Sequence, residues 1–387
     1  MFKLYAKLND PALRAFLSSL LSSLGIFASA FGLGSWISNS RYLSQSDAFL
    51  KDWTSHLVPV SSSDWDQLVL ETYRRVHVYE QEIEKNHLSQ GMLVNRRADG
   101  RVLDECDSLL FSSLRYVSLK KLGFEEKSLT AWQAIEKSQK NGLWFRHPDC
   151  TWQDASRDMM AGLIAALAQR PPGYQKHLLS LFDYLKKNMG FFGEGPPYLS
   201  FMTPQLALEL KQMALDNGME YPLFLETGFS TLEWESLFLK RGYQSHLTSL
   251  HAWLAMEYAN KYPQKVDKSI AFHALSVLDF LNKDKAFDQR MKWISYNLVS
   301  LDGKNLFFRW LRFKASGLDT RELRARLLQE LLSMREFPSG SLPQDCDRYA
   351  DYLWQRDSIE YKAQEKPCGD TFSGVDFLWM AALLLSE

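Results

Sequence analysis

The chain has 387 residues, of which 46% are hydrophobic and 13% aromatic, so it can bury a sizeable core and is not a disordered chain. Its formal net charge of -1 at pH 7 argues against a broad nucleic-acid-binding surface, because such a surface needs a clustered excess of Lys and Arg. The 12 Trp, 16 Tyr and 24 Phe residues suit a core, and also a cleft that stacks on sugar rings.

The N-terminal segment has the pattern of a secretory signal peptide. A basic stretch over 3–14 precedes an uncharged run over 15–40, which contains the small-residue triplet "ASA" at 28–30. We expect residues 1–40 to be a cleaved signal, a retained membrane anchor or an ordinary buried helix. A signal predicts a secreted or periplasmic protein, an anchor predicts attachment to a membrane, and a cytoplasmic location is the least favoured. Residues 41–387 are predicted to form one domain.

Four cysteines, at positions 106, 150, 346 and 368, all follow this segment. An even number suits an oxidising compartment, and Cys346 and Cys368 bracket a loop that a disulfide could close. Four free, partly buried thiols are the alternative. No Cys or His spacing typical of a zinc site occurs, and we predict neither a metal nor a cofactor.

Almost every long segment has helical periodicity, which predicts an all-α protein. Several of the segments end at a glycine suited to a helix C-terminus. In chain order, the predicted helices are 64–87, 104–122, 125–139, 153–169, 173–188, 203–217, 229–240, 243–261, 265–281, 285–299, 305–315, 319–334 and 373–386.

The predicted helices differ in how apolar they are. Helix 125–139 is amphipathic and should lie at a surface, whereas 104–122 and 153–169 are apolar on almost every side and should be buried. Apolar helices begin at intervals of roughly 40–50 residues, which fits repeated helix pairs. We therefore predict an (α/α)6 toroid of helical hairpins, in which outer helices cover inner ones. An open α-solenoid is the alternative.

Polar residues cluster where four of these apolar helices begin. In a toroid the N-terminal ends of the inner helices share one face, so the clusters would meet there. The first cluster, "DECDSLLF", contains Asp104 and Asp107, and the second, "WFRHPDCTWQDASRD", contains Arg146, His147, Trp152, Asp154, Ser156, Arg157 and Asp158. The third, "RGYQSHL", contains Arg241, Tyr243 and His246, and the last, "GDTFSGVDFLW", contains Asp370, Ser373 and Asp376. The segment "RYADYLWQRDS" adds Trp354 and Arg356.

Each cluster also has a purely structural interpretation. Asp and Ser are favoured N-caps, and carboxylates suit the positive end of a helix dipole. A histidine such as His246 is more often a structural residue than a catalyst. Arg157 fits this interpretation poorly, because a cation near a helix N-terminus is electrostatically unfavourable.

The motifs that the sequence lacks leave carboxylate chemistry as the main option. The sequence has no glycine-rich nucleotide-binding loop, no HExxH and no GxSxG, and the spacing of His246 and His251 does not suit two metal ligands on one helical face. We therefore predict paired carboxylates acting as general acid and base, with Arg and His residues positioning the substrate.

Four segments resemble the six-hairpin glycosidase superfamily, whose members fold as (α/α)6 toroids. They are "DECDSLLFSSL", "GLWFRHPDCTWQDASRDMMAGLIAAL", "RGYQSHLTSLHAWL" and "YLWQRDS…SGVDFLWMAALL", which follow one another between Asp104 and Leu384. The resemblance implies cleavage, or sometimes epimerisation, of a glycosidic substrate in a central cleft. No specific family matches, so no catalytic residue is carried over.

We assign the roles from the residues themselves. Asp107 and Asp158 are the predicted acid/base pair, and Asp376 is the alternate carboxylate. The predicted substrate-binding residues are Asp104, Arg146, His147, Trp152, Arg157, Tyr243, His246, Trp354 and Arg356. The predicted partner is a carbohydrate or another small polar substrate, and the Arg and His residues of the site suit an acidic sugar. A non-catalytic toroid or solenoid that binds a glycan or a protein is the alternative function.

Overall fold

The computed structural model describes residues 50–51, 53–96, 99–102, 107–150, 154–188, 190–193, 204–220, 243–261, 286–333 and 373–386. This part of the chain is mostly helical, as the sequence predicts. The helices are α1 (Ser62–Asn86), α2 (Leu109–Lys121), α3 (Glu125–Glu136), α4 (Arg157–Ala168), α5 (Tyr174–Lys187), α6 (Pro204–Asp216), α7 (Tyr243–Lys261), α8 (Ala286–Leu301), α9 (Leu306–Ala315), α10 (Arg321–Leu332) and α11 (Val375–Leu385). Two short antiparallel hairpins accompany them, formed by β1 (Leu88–Ser89) with β2 (Met92–Leu93) and by β3 (Gln139–Lys140) with β4 (Leu143–Trp144).

Backbone contacts divide the chain into two units. One unit comprises 1–55 and 273–283, and the other comprises 56–272 and 284–387. The predicted signal or anchor over 1–40 lies outside the described residues, as do the predicted helices 229–240 and 265–281. Among the helices that the structure describes, none is long and apolar enough to cross a membrane. The elements named above all belong to the second unit.

Buried helices alternate with helices that bury only one face. In α2, α4 and α11 almost every residue is buried, and α9 is buried from Leu306 to Phe313. By contrast, α3, α5 and α10 bury an apolar stripe and leave their charged residues exposed or partly exposed. Within the described ranges α2 packs on α4, α4 on α7, α7 on α9, α9 on α10 and α10 on α11, and α11 packs on α2.

The second hairpin corrects one predicted helix. The helix predicted over 125–139 ends at Glu136, because Gln139 begins β3 and pairs with Trp144. The turn between the two strands is Asn141-Gly142, with positive φ at both residues. Asn-Gly is the residue pair that a two-residue hairpin turn favours most, so the signal was present in the sequence.

Two other predicted helices begin later than expected. In the segment predicted over 104–122, residues 107–108 are not helical and α2 starts at Leu109 after the N-cap Ser108. In the segment predicted over 153–169, Asp154 forms a β-bridge with Phe145, so α4 starts only at Arg157.

Ion pairs and stacked rings join the buried helices to the half-buried ones. Arg115 of α2 forms a doubly hydrogen-bonded ion pair with Glu80 of α1, and both side chains are buried. The rings of Tyr79 in α1 and Phe377 in α11 stack with their centroids 4.3 Å apart. These contacts hold α1 against both α2 and α11.

A glycine brings α2 and α4 into close contact. A Cβ atom added at Gly162 in α4 would lie 2.9 Å from Cα of Leu110 and 3.1 Å from its carbonyl oxygen. Backbone atoms cannot give way as a flexible side chain can, so any larger residue at 162 must push the two helices apart. The small residues that the sequence has in this segment therefore serve helix packing.

We expect Gly162→Ala to destabilise the protein by about 1–3 kcal/mol through overpacking. In an uncrowded helix the same change would stabilise by about 1 kcal/mol, because alanine has the higher helix propensity. Chemical denaturation followed by Trp fluorescence measures the sign directly. A gain in stability would contradict the close contact.

Candidate functional site

The start of α2, the start of α11 and the loop before α4 are tied together through the first hairpin. The Leu93 N–H donates to Oγ of Ser112 at 2.9 Å, which joins β2 to the first turn of α2. The His147 ring donates through Nε2 to the Ser89 carbonyl at 3.1 Å. The Ser373 N–H donates to Oδ1 of Asn95 at 3.1 Å. Three of the four predicted polar clusters therefore lie around the β1–β2 hairpin.

An ion pair links the start of α2 to the loop before α4. Nη1 of Arg146 lies 3.6 Å from Oδ1 of Asp107, and each side chain is 23% exposed. The Arg146 Nε–H also donates to the Asp154 carbonyl at 3.0 Å. Two side chains that the sequence predicts for one site, a carboxylate and a guanidinium, are thus in contact at a partly open position.

The loop that begins at Gly190 packs against the same region. Phe192 is buried. A Cβ atom added at Gly193 would lie 2.1 Å from Oδ2 of Asp154, so a larger residue there would displace the Asp154 side chain. Glycine thus allows the backbone of this loop to lie directly on Asp154, beside the backbone oxygen that Arg146 binds.

The first turn of α4 is not capped in the expected way. Ser156 has the extended backbone of an N-cap residue, but its hydroxyl donates to Oδ1 of Asp158 and makes no cap bond to a backbone N–H. Asp158 is buried in the first turn, where the helix dipole favours a negative charge. The Ser156 hydroxyl therefore holds the carboxyl group of Asp158 in place.

Arg157 occupies an unfavourable position for a cation. It is half-buried at the first residue of α4, and no ion pair to it occurs among the described residues. The positive end of the helix dipole opposes its charge. Its charge also acts on His251 of α7, a helix that packs against α4.

His251 of α7 was not among the site residues predicted from the sequence. The side chain is 2% exposed, and neither ring nitrogen has a hydrogen-bond partner among the described residues. Burial, and then the nearby charge of Arg157, lower its pKa from the usual 6.5 to about 3, so the ring is neutral at neutral pH. The available signal was a histidine within the otherwise apolar stretch "HAWLAM", which the sequence analysis considered only as a metal ligand.

The other predicted residues are placed as follows. His147 is buried. Its Nδ1 accepts the Asp149 N–H at 3.2 Å and its Nε2 bonds to Ser89, so both ring nitrogens are used inside the protein.

The ring of His246 is buried, with its centroid 5.7 Å from that of Phe308. Asp376 lies half-buried in the first turn of α11. Tyr243 is the first residue of α7, and its side chain is outside the description. Also outside the described residues are Asp104, Trp152, Trp354 and Arg356.

Two further observations limit the chemistry of the described region. Within the described residues, no group of three or more His, Cys, Asp or Glu side chains is arranged to hold a metal ion.

Cys150 forms a disulfide, so the alternative of four free thiols is wrong at this position. Cys150 also closes the turn that starts at His147, since its N–H donates to the His147 carbonyl at 2.9 Å.

Comparison with known proteins identifies no relative. The sequence matches no protein-family model, and a search of curated protein sequences gives no match.

The burial of His251 predicts a loss of stability in acid. In the unfolded chain a histidine titrates near 6.5, so between pH 6.5 and 3 the unfolded state binds the extra proton and stability falls as the pH falls. Between pH 7 and pH 4.5 the wild type should lose about 2–3 kcal/mol more than the His251→Phe variant.

Denaturant unfolding at both pH values measures this difference. His77→Phe is the matched control, because His77 is exposed on α1 and should leave the pH dependence as in the wild type. Parallel losses in wild type and His251→Phe would show that His251 is not the buried neutral group described here.

Proposed function

We propose that the protein is an exported carbohydrate-active enzyme, a glycoside hydrolase that uses Asp107 and Asp158 as its acid/base pair. The observation that supports this most is the contact of Arg146 with Asp107, because it joins the start of α2 to the loop that leads into Asp158. Glycosidic cleavage uses two carboxyl groups that flank the scissile bond, and the starts of α2 and α4 supply one each.

The packing order of the helices supports the toroid that we propose as the architecture. In an open solenoid each repeat contacts only its neighbours in sequence, so an element near the C-terminus would not reach one near the N-terminus. Here α11 packs on α2, and the contacts run from α2 through α4, α7, α9 and α10 back to α11. The alternation of buried with half-buried helices supports the same arrangement of hairpins.

The surroundings of the two carboxyl groups suit an acid/base pair. Asp107 is partly open and lies against the guanidinium of Arg146, which fixes its position. Asp158 is buried and receives the hydrogen bond of Ser156, which holds its carboxyl group in a fixed orientation. We therefore propose these two carboxyl groups as the acid/base pair, with Asp376 as the alternate carboxyl group.

The disulfide of Cys150 supports an extracellular or periplasmic location. Disulfides persist in oxidising compartments and are rare in the reducing cytosol. This agrees with a signal peptide in the N-terminal segment. A membrane anchor in the same segment would place the folded part of the chain in the same compartment.

Activity against a panel of neutral and acidic oligosaccharides tests the proposal. We expect Asp158→Asn and Asp107→Asn each to lower kcat by about 10²–10⁴-fold, because each removes a proton-transfer or nucleophilic group. Asp183→Asn is the matched control, since Asp183 is exposed on α5, and it should keep wild-type activity.

Two outcomes would contradict the hydrolase. One is turnover that both site variants retain. The other is binding of a glycan by the wild type without any turnover, which would favour the alternative of a non-catalytic binding protein.

A further inference from the structure

We infer that Asn95 is a positioning residue of the proposed active site, which holds the start of α11 as Arg146 holds the start of α2. The inference deepens the proposed function and rests on it. It is carried by a structural repeat in which Asn95 and Arg146 occupy equivalent positions.

The hairpin over 88–93 and the hairpin over 139–144 have the same structure at an offset of 51 residues. In each, the first residue pairs with the sixth and the second with the fifth. The two turn residues have φ of 52° and 83° in the first hairpin, and of 53° and 85° in the second. The residue after each hairpin donates its backbone N–H to the carbonyl of the residue before it, at 2.9 Å in both. The two segments are therefore copies of one structural unit.

The turn glycine of each copy lies against the next half-buried helix along the chain. A Cβ atom added at Gly91 would lie 2.9 Å from Cβ of Ala134 in α3. A Cβ atom added at Gly142 would lie 2.2 Å from the carbonyl oxygen of Ser180 in α5. Both glycines also have a positive φ, which a residue with a side chain rarely adopts. The two copies are thus seated on the following helix in the same way.

The fourth residue after the turn glycine is Asn95 in the first copy and Arg146 in the second. Each follows two buried residues and is itself half-buried. Oδ1 of Asn95 accepts the N–H of Ser373, just before α11, at 3.1 Å. Nη1 of Arg146 lies 3.6 Å from Oδ1 of Asp107, just before α2. Because α11 packs on α2 and α2 on α4, each side chain reaches the start of the buried helix that neighbours the one after its own hairpin.

The hydrogen bond of Asn95 determines where the main chain of α11 begins relative to α2. Strand β2 is bonded to Ser112 in the first turn of α2, so the residue that follows this strand is held against that helix. Asn95 then binds the backbone of Ser373, and Asp376 lies in the first turn of α11. Loss of the bond would let the carboxyl group of Asp376 shift relative to α2.

Two substitutions at position 95 separate this role from a general loss of packing. Asn95→Leu keeps a side chain of similar size but removes the oxygen that accepts the N–H of Ser373. Asn95→Asp keeps an accepting oxygen, and its negative charge suits the N-terminal end of α11. Asn86→Leu is the matched control, because the side-chain amide of Asn86 bonds to Glu82 within α1.

Hydrogen exchange and steady-state kinetics on the full chain test the inference. We expect Asn95→Leu to speed exchange of the Ser373 N–H about three- to tenfold, as the loss of one hydrogen bond implies. In turnover of the oligosaccharide panel, kcat should fall about tenfold with KM little changed, because the bond orients the site without touching the substrate. Asn95→Asp should restore both quantities, and Asn86→Leu should match the wild type.

Unchanged exchange of the Ser373 N–H in Asn95→Leu would overturn the inference. Faster exchange with kcat and KM both unchanged would overturn it as well, since Asn95 would then support only the fold and the hydrolase would stand. A fall in kcat that Asn95→Asp does not restore would also contradict it. Absence of turnover by the wild type would overturn the hydrolase, while the exchange of Ser373 would still decide whether Asn95 holds the start of α11.

Discussion

The close contact of α2 with α4 at Gly162 is the constraint on which the rest of the described structure depends. It lets the backbone of α4 lie against Leu110 near the start of α2. The two helices are buried on almost every side, so packing against their neighbours determines how their axes are oriented. Because Asp107 precedes α2 and Arg157 begins α4, the same contact brings the charged residues of both segments to one region.

Among the described residues, the charges in that region are incompletely paired. Asp107 has Arg146, and Asp158 has the hydroxyl of Ser156. Arg157 stands at the helix end that opposes a cation, next to a histidine that burial keeps neutral. Buried ion pairs elsewhere, such as Arg115 with Glu80, are complete within the chain. This difference separates polar groups that support the fold from those that we assign to a ligand.

Much of the helical arrangement could be predicted from the sequence. The bounds of α7 agree with the prediction over 243–261, because the apolar pattern and the polar residues before it mark both ends. The predicted C-terminal end of α3 was wrong. The Asn141-Gly142 turn forms a hairpin whose first strand takes up residues that were predicted to be helical. The periodicity of hydrophobic residues alone does not show where such a hairpin ends a helix.

The site was less predictable than the fold. The sequence analysis assigned Asp107 and Arg146 to one site without predicting a contact between them, and the structure has an ion pair there. His251 was not expected, because its role depends on lacking a partner after folding, which no local pattern reveals. Ser156, a residue type favoured as an N-cap, precedes α4, but its hydroxyl bonds to the side chain of Asp158 two residues on.

A crystal structure of the Asp158→Asn variant with a bound oligosaccharide tests the central claim most directly, namely that the starts of α2 and α4 form one substrate site. The account predicts that the side chains at 107 and 158 lie roughly 5–10 Å apart across a glycosidic oxygen. An oligosaccharide bound away from α4, or these two side chains on different faces of the protein, would contradict it.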